Sequence, residues 1–136
     1  MFFWFAAAAF VIVVMVFSSP SIDYRLVILG AVLPVAEVVL GGPYVLHTLL
    51  GSVALLVIVV VATRGRRLVA RQLVGLPIGV FLHQVLDGTW ARAELFWWPF
   101  LGVDALGDGQ VPEFEHVGLS LALEAVGIVL AVWAVR

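Results

Sequence analysis

His83 and Asp87 stand four residues apart in HQVLD (83–87), at the end of an apolar run. On a helix that spacing puts both side chains on one face, with Cβ atoms about 6 Å apart, close enough to grip one ion. The plainer reading is that Asp87 caps a loop while His83 bonds a neighbouring helix. Glu37 and His47 extend the pair, because the tight turn GGP (41–43) brings the ends of two successive apolar segments together. Each has its own plain reading: an interfacial carboxylate facing water for Glu37, an interhelical hydrogen bond for His47. Cysteine is absent, so any metal must be held by His, Asp or Glu. Glu37, His47, His83 and Asp87 are therefore the expected ligands of a divalent metal, with zinc or manganese suited to such nitrogen and oxygen donors. A metal of that kind brings the pKa of bound water to about 7 and polarises a phosphoryl or carbonyl oxygen, which is hydrolysis chemistry.

The elements that must position these residues are apolar helices. Of the 136 residues 64% are hydrophobic and only 12% charged, with mean hydropathy +1.20, whereas a soluble domain carries about 25% charged residues. A helix crossing the bilayer core needs about 20 mostly apolar residues. The composition predicts a single all-α transmembrane domain, residues 1–136, with about five helices over residues 2–17, 23–40, 43–62, 68–87 and 116–135 and an outer loop over 88–115. SSPS (18–21) ends the first helix, and Asp23 can cap the second. Pro43 suits a first helical turn, and Pro77 predicts a kink in the fourth helix. The opening stretch has a signal peptide's length but no Lys or Arg before its apolar run, so it reads as a retained helix.

All seven cationic residues are Arg, and Arg25, Arg64, Arg66, Arg67 and Arg71 follow the first and third helices. The positive-inside rule makes those ends cytoplasmic and puts the N-terminus outside. The acids and all three histidines then gather toward the outer face. Arg92, the lone outer cation, can bind an anion or be an ordinary interface arginine. His116 and Glu113 are the candidate general bases, although acids before a histidine equally suit a solvated helix N-terminus. Glu124, two turns beyond His116, needs a partner: His83 or His47, or a neighbouring helix through a protonated carboxyl. FWWPF (96–100) fits an aromatic belt at headgroup depth, or a lid over the site.

The segments LPVAE (33–37), HT (47–48), GVFLHQVLDG (79–88) and WWPF (97–100) together resemble the YdjM-like family of membrane-bound metal-dependent hydrolases, over roughly residues 23–100. The resemblance implies that His47, His83 and Asp87 are metal ligands and that Glu37 takes the place of an aspartate. It also implies a multi-pass protein of the bacterial inner (plasma) membrane. Val35 stands where the family has a further aspartate, and Gly42 and Pro43 where it has a His-Arg pair. One metal then remains of two, or the fold persists without the chemistry.

The expected function is hydrolysis of an ester or phosphoester in a membrane lipid or lipid-linked substrate at the outer interface. Its rival is a non-enzymatic accessory subunit that packs on a membrane protein partner, or on a second copy, with the polar cluster as interhelical glue. Five helices without a repeat make a transporter a weaker reading. With no Lys and a net charge of -2, there is no basic surface for nucleic acid.

Overall fold

The computed structural model describes residues 1–107 and 117–136. Among these the chain is helical, with no strand. Its helices are α1 (Phe2–Phe17), α2 (Tyr24–Val39), α3 (Leu49–Ala62), α4 (Arg67–Leu73), α5 (Gly75–Asp87), α6 (Ala93–Phe96) and α7 (Val117–Val135). Single 3-10 turns occupy Val45–His47 and Thr89–Ala91.

Helix α1 ends where Ser18 turns left-handed at φ 44°, and α2 begins where the Asp23 carboxylate accepts the Arg25 N–H at 3.0 Å. The two helices form an antiparallel hairpin. Phe5, Ala9 and Val13 recur every four residues along α1 and pack on Val27 and Ala31 of α2, with Ile78, Leu82 and Leu86 of α5 against the same cluster.

The tightest contact joins α2 to α5. A Cβ on Gly79 would overlap the Val27 carbonyl and the Ala31 amide, and one on Gly30 would overlap the Leu76 carbonyl. Gly75, one turn before Gly79, comes up against the Asp23 carbonyl and Val27. Side-chain-free surfaces let two helix backbones approach this closely, the small-xxx-small device of apolar helix pairs. The contacts advance together along both helices, so α2 and α5 are parallel, and α3 carries the chain back between them.

Two expected helices differ from the structure. The third starts at Leu49 and not at Pro43, because Thr48 is extended and its hydroxyl caps the Gly51 N–H at 3.0 Å. His47 therefore sits in a 3-10 turn ahead of the helix. The fourth is interrupted at Val74, three residues before Pro77. A proline has no N–H to offer the carbonyl four residues back, here Leu73, so the ladder loosens at that point.

Helix α7 lies along α1 in the same direction. Gly127 meets the backbone of Phe3 and Trp4, and the Glu124 carboxylate accepts the Trp4 N–H at 3.2 Å. That amide belongs to the first turn of α1, where no intrahelical acceptor exists. Glu124 is thus bonded to the start of α1 and not to His47 or His83.

Two helical stretches are long and apolar enough to cross a membrane: Arg67–Asp87, taken through its bend, with 21 residues, and Val117–Val135 with 19. Helices α1 and α3 are apolar but shorter, at 16 and 14 residues. Large apolar side chains face outward on α3 (Val57, Ile58, Val60, Val61) and on α7 (Leu121, Val129, Val132, Trp133). Contiguous apolar surface of this kind calls for lipid or a protein partner.

The glycine contact makes a direct prediction. Gly79→Leu forces α2 and α5 apart and should cost about 1–3 kcal/mol, the usual penalty of overpacking. Thermal unfolding of the purified protein in detergent, followed by circular dichroism, measures it against Gly118→Leu, which meets open space.

Candidate metal centre

Helix α5 presents His83 and Asp87 one turn apart, and the 3-10 turn before α3 presents His47. One ligand atom from each of these three residues lies within 4.8 Å of the others. Around a tetrahedral zinc, donors at about 2.0–2.2 Å stand roughly 3.3–3.6 Å apart, so the three need only about an ångström of closure. His47, His83 and Asp87 are 1%, 0% and 8% exposed. They can hold a metal ion.

Hydrogen bonding decides which atoms are free to do so. His83 Nδ1 lies 2.7 Å from the Ala31 carbonyl oxygen. A carbonyl only accepts, so Nδ1 carries the proton and Nε2 keeps its lone pair. His47 Nδ1 lies 3.0 Å from Glu37 Oε2 and by the same logic donates to the carboxylate. Asp87 Oδ2 accepts from the Thr89 hydroxyl at 2.7 Å, on the turn that begins after the left-handed Gly88. His47 Nε2, His83 Nε2 and Asp87 Oδ1 are buried without hydrogen-bond partners. Burying such an atom unpaired costs about 1–3 kcal/mol, and one cation would serve all three. Metal-bound histidines commonly donate their other ring N–H to a carboxylate or a backbone carbonyl, as both do here.

Ring contacts hold the imidazoles in place. The Phe5 ring lies 4.0 Å from His83, centroid to centroid, and His47 meets His83 edge-on at 5.2 Å.

Glu37 is not among the converging donors. Its carboxylate is taken up by His47 Nδ1 and by the backbone N–H groups of Tyr44 and Leu46, at 3.0–3.1 Å. Of the four expected ligands the structure gathers three within 4.8 Å, and Glu37 bonds one of these, His47. A carboxylate that close to an imidazole looks like a ligand by sequence spacing; the backbone amides of the GGP-to-His47 loop claim it first.

Arg92 lies between the second 3-10 turn and α6, five residues after Asp87. It lines an open cleft of about 770 Å³ together with Glu94, Leu95, Gly102 and Asp104. Glu113 and His116 lie outside the described residues.

Sequence reasoning missed Thr89, Phe5 and the Ala31 carbonyl as partners of the donors. Only the last had a legible signal: Gly75 and Gly79 at four-residue spacing mark the face on which α2 can come close. Searches against known protein families, curated proteins and solved structures return no match.

The hydrogen bond from His47 to Glu37 carries a second prediction. Glu37→Gln keeps the size but not the charge, and should weaken zinc binding by roughly 10- to 100-fold. Competition against a chromogenic chelator measures the change.

Proposed function

We propose that this protein is a membrane-embedded, metal-dependent hydrolase acting on an ester or phosphoester of a lipid or lipid-linked molecule. The observation that carries the reading is the approach of His47, His83 and Asp87, one ligand atom of each within 4.8 Å of the others, with His47 Nε2, His83 Nε2 and Asp87 Oδ1 buried and without partners. Three protein donors leave a coordination position open, the pattern of catalytic rather than structural zinc sites. Zinc suits two imidazoles and a carboxylate best, with manganese next. The metal, when bound, supplies Lewis acidity and a nucleophile drawn from water.

The chain's own residues do the rest. Ala31 and Glu37 hold the two imidazoles in the tautomer that offers Nε2. Thr89 keeps one Asp87 oxygen occupied and so turns the other inward. Arg92, at the cleft beside α6, is the group proposed to meet an anionic substrate, and His116 or Glu113 the base. The lipid character of the substrate is inferred from the apolar helices that surround the centre. In this reading all five apolar segments cross the inner membrane, with the N-terminus outside and the centre toward the outer face. Shortness of α1 and α3 is then met by local thinning of the bilayer.

A second reading has its own observation. The three donors are almost fully buried, which favours a structural metal or polar tie in a non-enzymatic accessory subunit.

Metal analysis of the protein purified without chelator, together with hydrolysis assays on ester and phosphoester lipids in nanodiscs, separates the readings. The hydrolase predicts one equivalent of metal in the wild type, lost with His83→Ala and Asp87→Ala, and lipid hydrolysis that disappears with it. Stoichiometric metal without hydrolysis would favour the accessory subunit. A wild type lacking metal would sink the catalytic reading.

A further inference from the structure

We propose that Gln84 is a positioning residue of the centre, fixing the backbone on both sides of His47 and thereby setting how tightly the metal is held. The proposal rests on the metal-centre reading above.

Gln84 is fully buried in an apolar helix, between the two ligands that α5 supplies. Burying a primary amide costs free energy unless its polar atoms are paired. Here both N–H donors are used, while Oε1 is buried with no hydrogen-bond partner. Gln84 Nε2 donates to the Leu46 carbonyl at 2.9 Å and to the Thr48 carbonyl at 2.7 Å, the two peptide oxygens that flank His47. The reversed amide would set its oxygen against both carbonyls, so this orientation follows from the contacts.

The opposite edge of the same turn belongs to Glu37, which takes the Leu46 N–H and the His47 ring. His47 is thus bracketed by one side chain from α2 and one from α5. Those are the two helices locked together by Gly30, Gly75 and Gly79. Gln84 ties the third ligand to the helix that carries the other two, so all three donors ride on one rigid pair. Leucine or methionine would fill the space without supplying that tie. Sites held by loops lose geometry when their support is removed, and an error of about an ångström is enough to change coordination.

Cobalt(II) is the probe, because its visible absorption reports coordination geometry as well as occupancy. The full chain in detergent would be titrated as wild type, Gln84→Leu, the isosteric Gln84→Glu, and Gln72→Leu, whose parent side chain is exposed on α4. Wild type and Gln72→Leu should give the same band and the same affinity. Both Gln84 variants should bind roughly 10- to 100-fold more weakly and with an altered band, while helicity and elution volume stay as in the wild type. If Gln84→Leu does not fold, Gln84→Glu carries the decision. Wild-type band and affinity in the Gln84 variants would overturn the role of Gln84 and leave the metal centre standing. Absence of cobalt binding in the wild type would overturn the metal centre and this role with it.

Discussion

The approach of α2 to α5 through Gly30, Gly75 and Gly79 is the constraint on which the rest of the structure depends. A backbone carbonyl can serve as the acceptor for a side chain on a neighbouring helix only when the two helix axes are close. His83 reaches the Ala31 oxygen at 2.7 Å because no Cβ intervenes at Gly79 or Gly30. That bond sets the tautomer of His83, and the tautomer decides which nitrogen faces the centre. A packing detail in the middle of two apolar helices therefore fixes the chemistry available at their ends.

A second constraint comes from the six residues between Gly42 and Leu49, where the chain is not regularly helical in an otherwise apolar bundle. Unpaired peptide groups in such surroundings cost several kcal/mol each. Glu37 accepts two of the N–H groups and Gln84 donates to two of the carbonyls. The loop is held because its polar groups are paired, and pairing them also holds His47 still. Stability and site geometry are here the same set of bonds.

The all-helical character of the chain and the membership of His47, His83 and Asp87 in one cluster were legible from apolar runs and residue spacing. Both signals are local: a run of hydrophobic residues, a four-residue interval, a tight turn. The start of α3 was not legible, because Pro43 is a good first helical residue and only the competition from Glu37 and Thr48 delays the helix to Leu49. The hydrogen bonding of Glu37 was not legible for the same reason, since its backbone partners, the Tyr44 and Leu46 N–H groups, lie seven and nine residues on and exist only once the loop is folded. Gln84 stood in the motif but its meaning depended on where residues 46–48 came to lie, which no spacing along α5 encodes. The partner of Glu124 lay 120 residues away.

That last separation has a consequence for how the molecule is built. At about 5–20 residues per second, Glu124 is synthesised roughly 6–24 s after Trp4. Everything that shapes the three-donor cluster, from Phe5 to Thr89, has been made by then. The first turn of α1 can gain this acceptor only once α7 has been made, after every residue of the cluster. The order of synthesis thus separates the interior from the flank that braces it, and it is written in the distance between two residues that share one hydrogen bond.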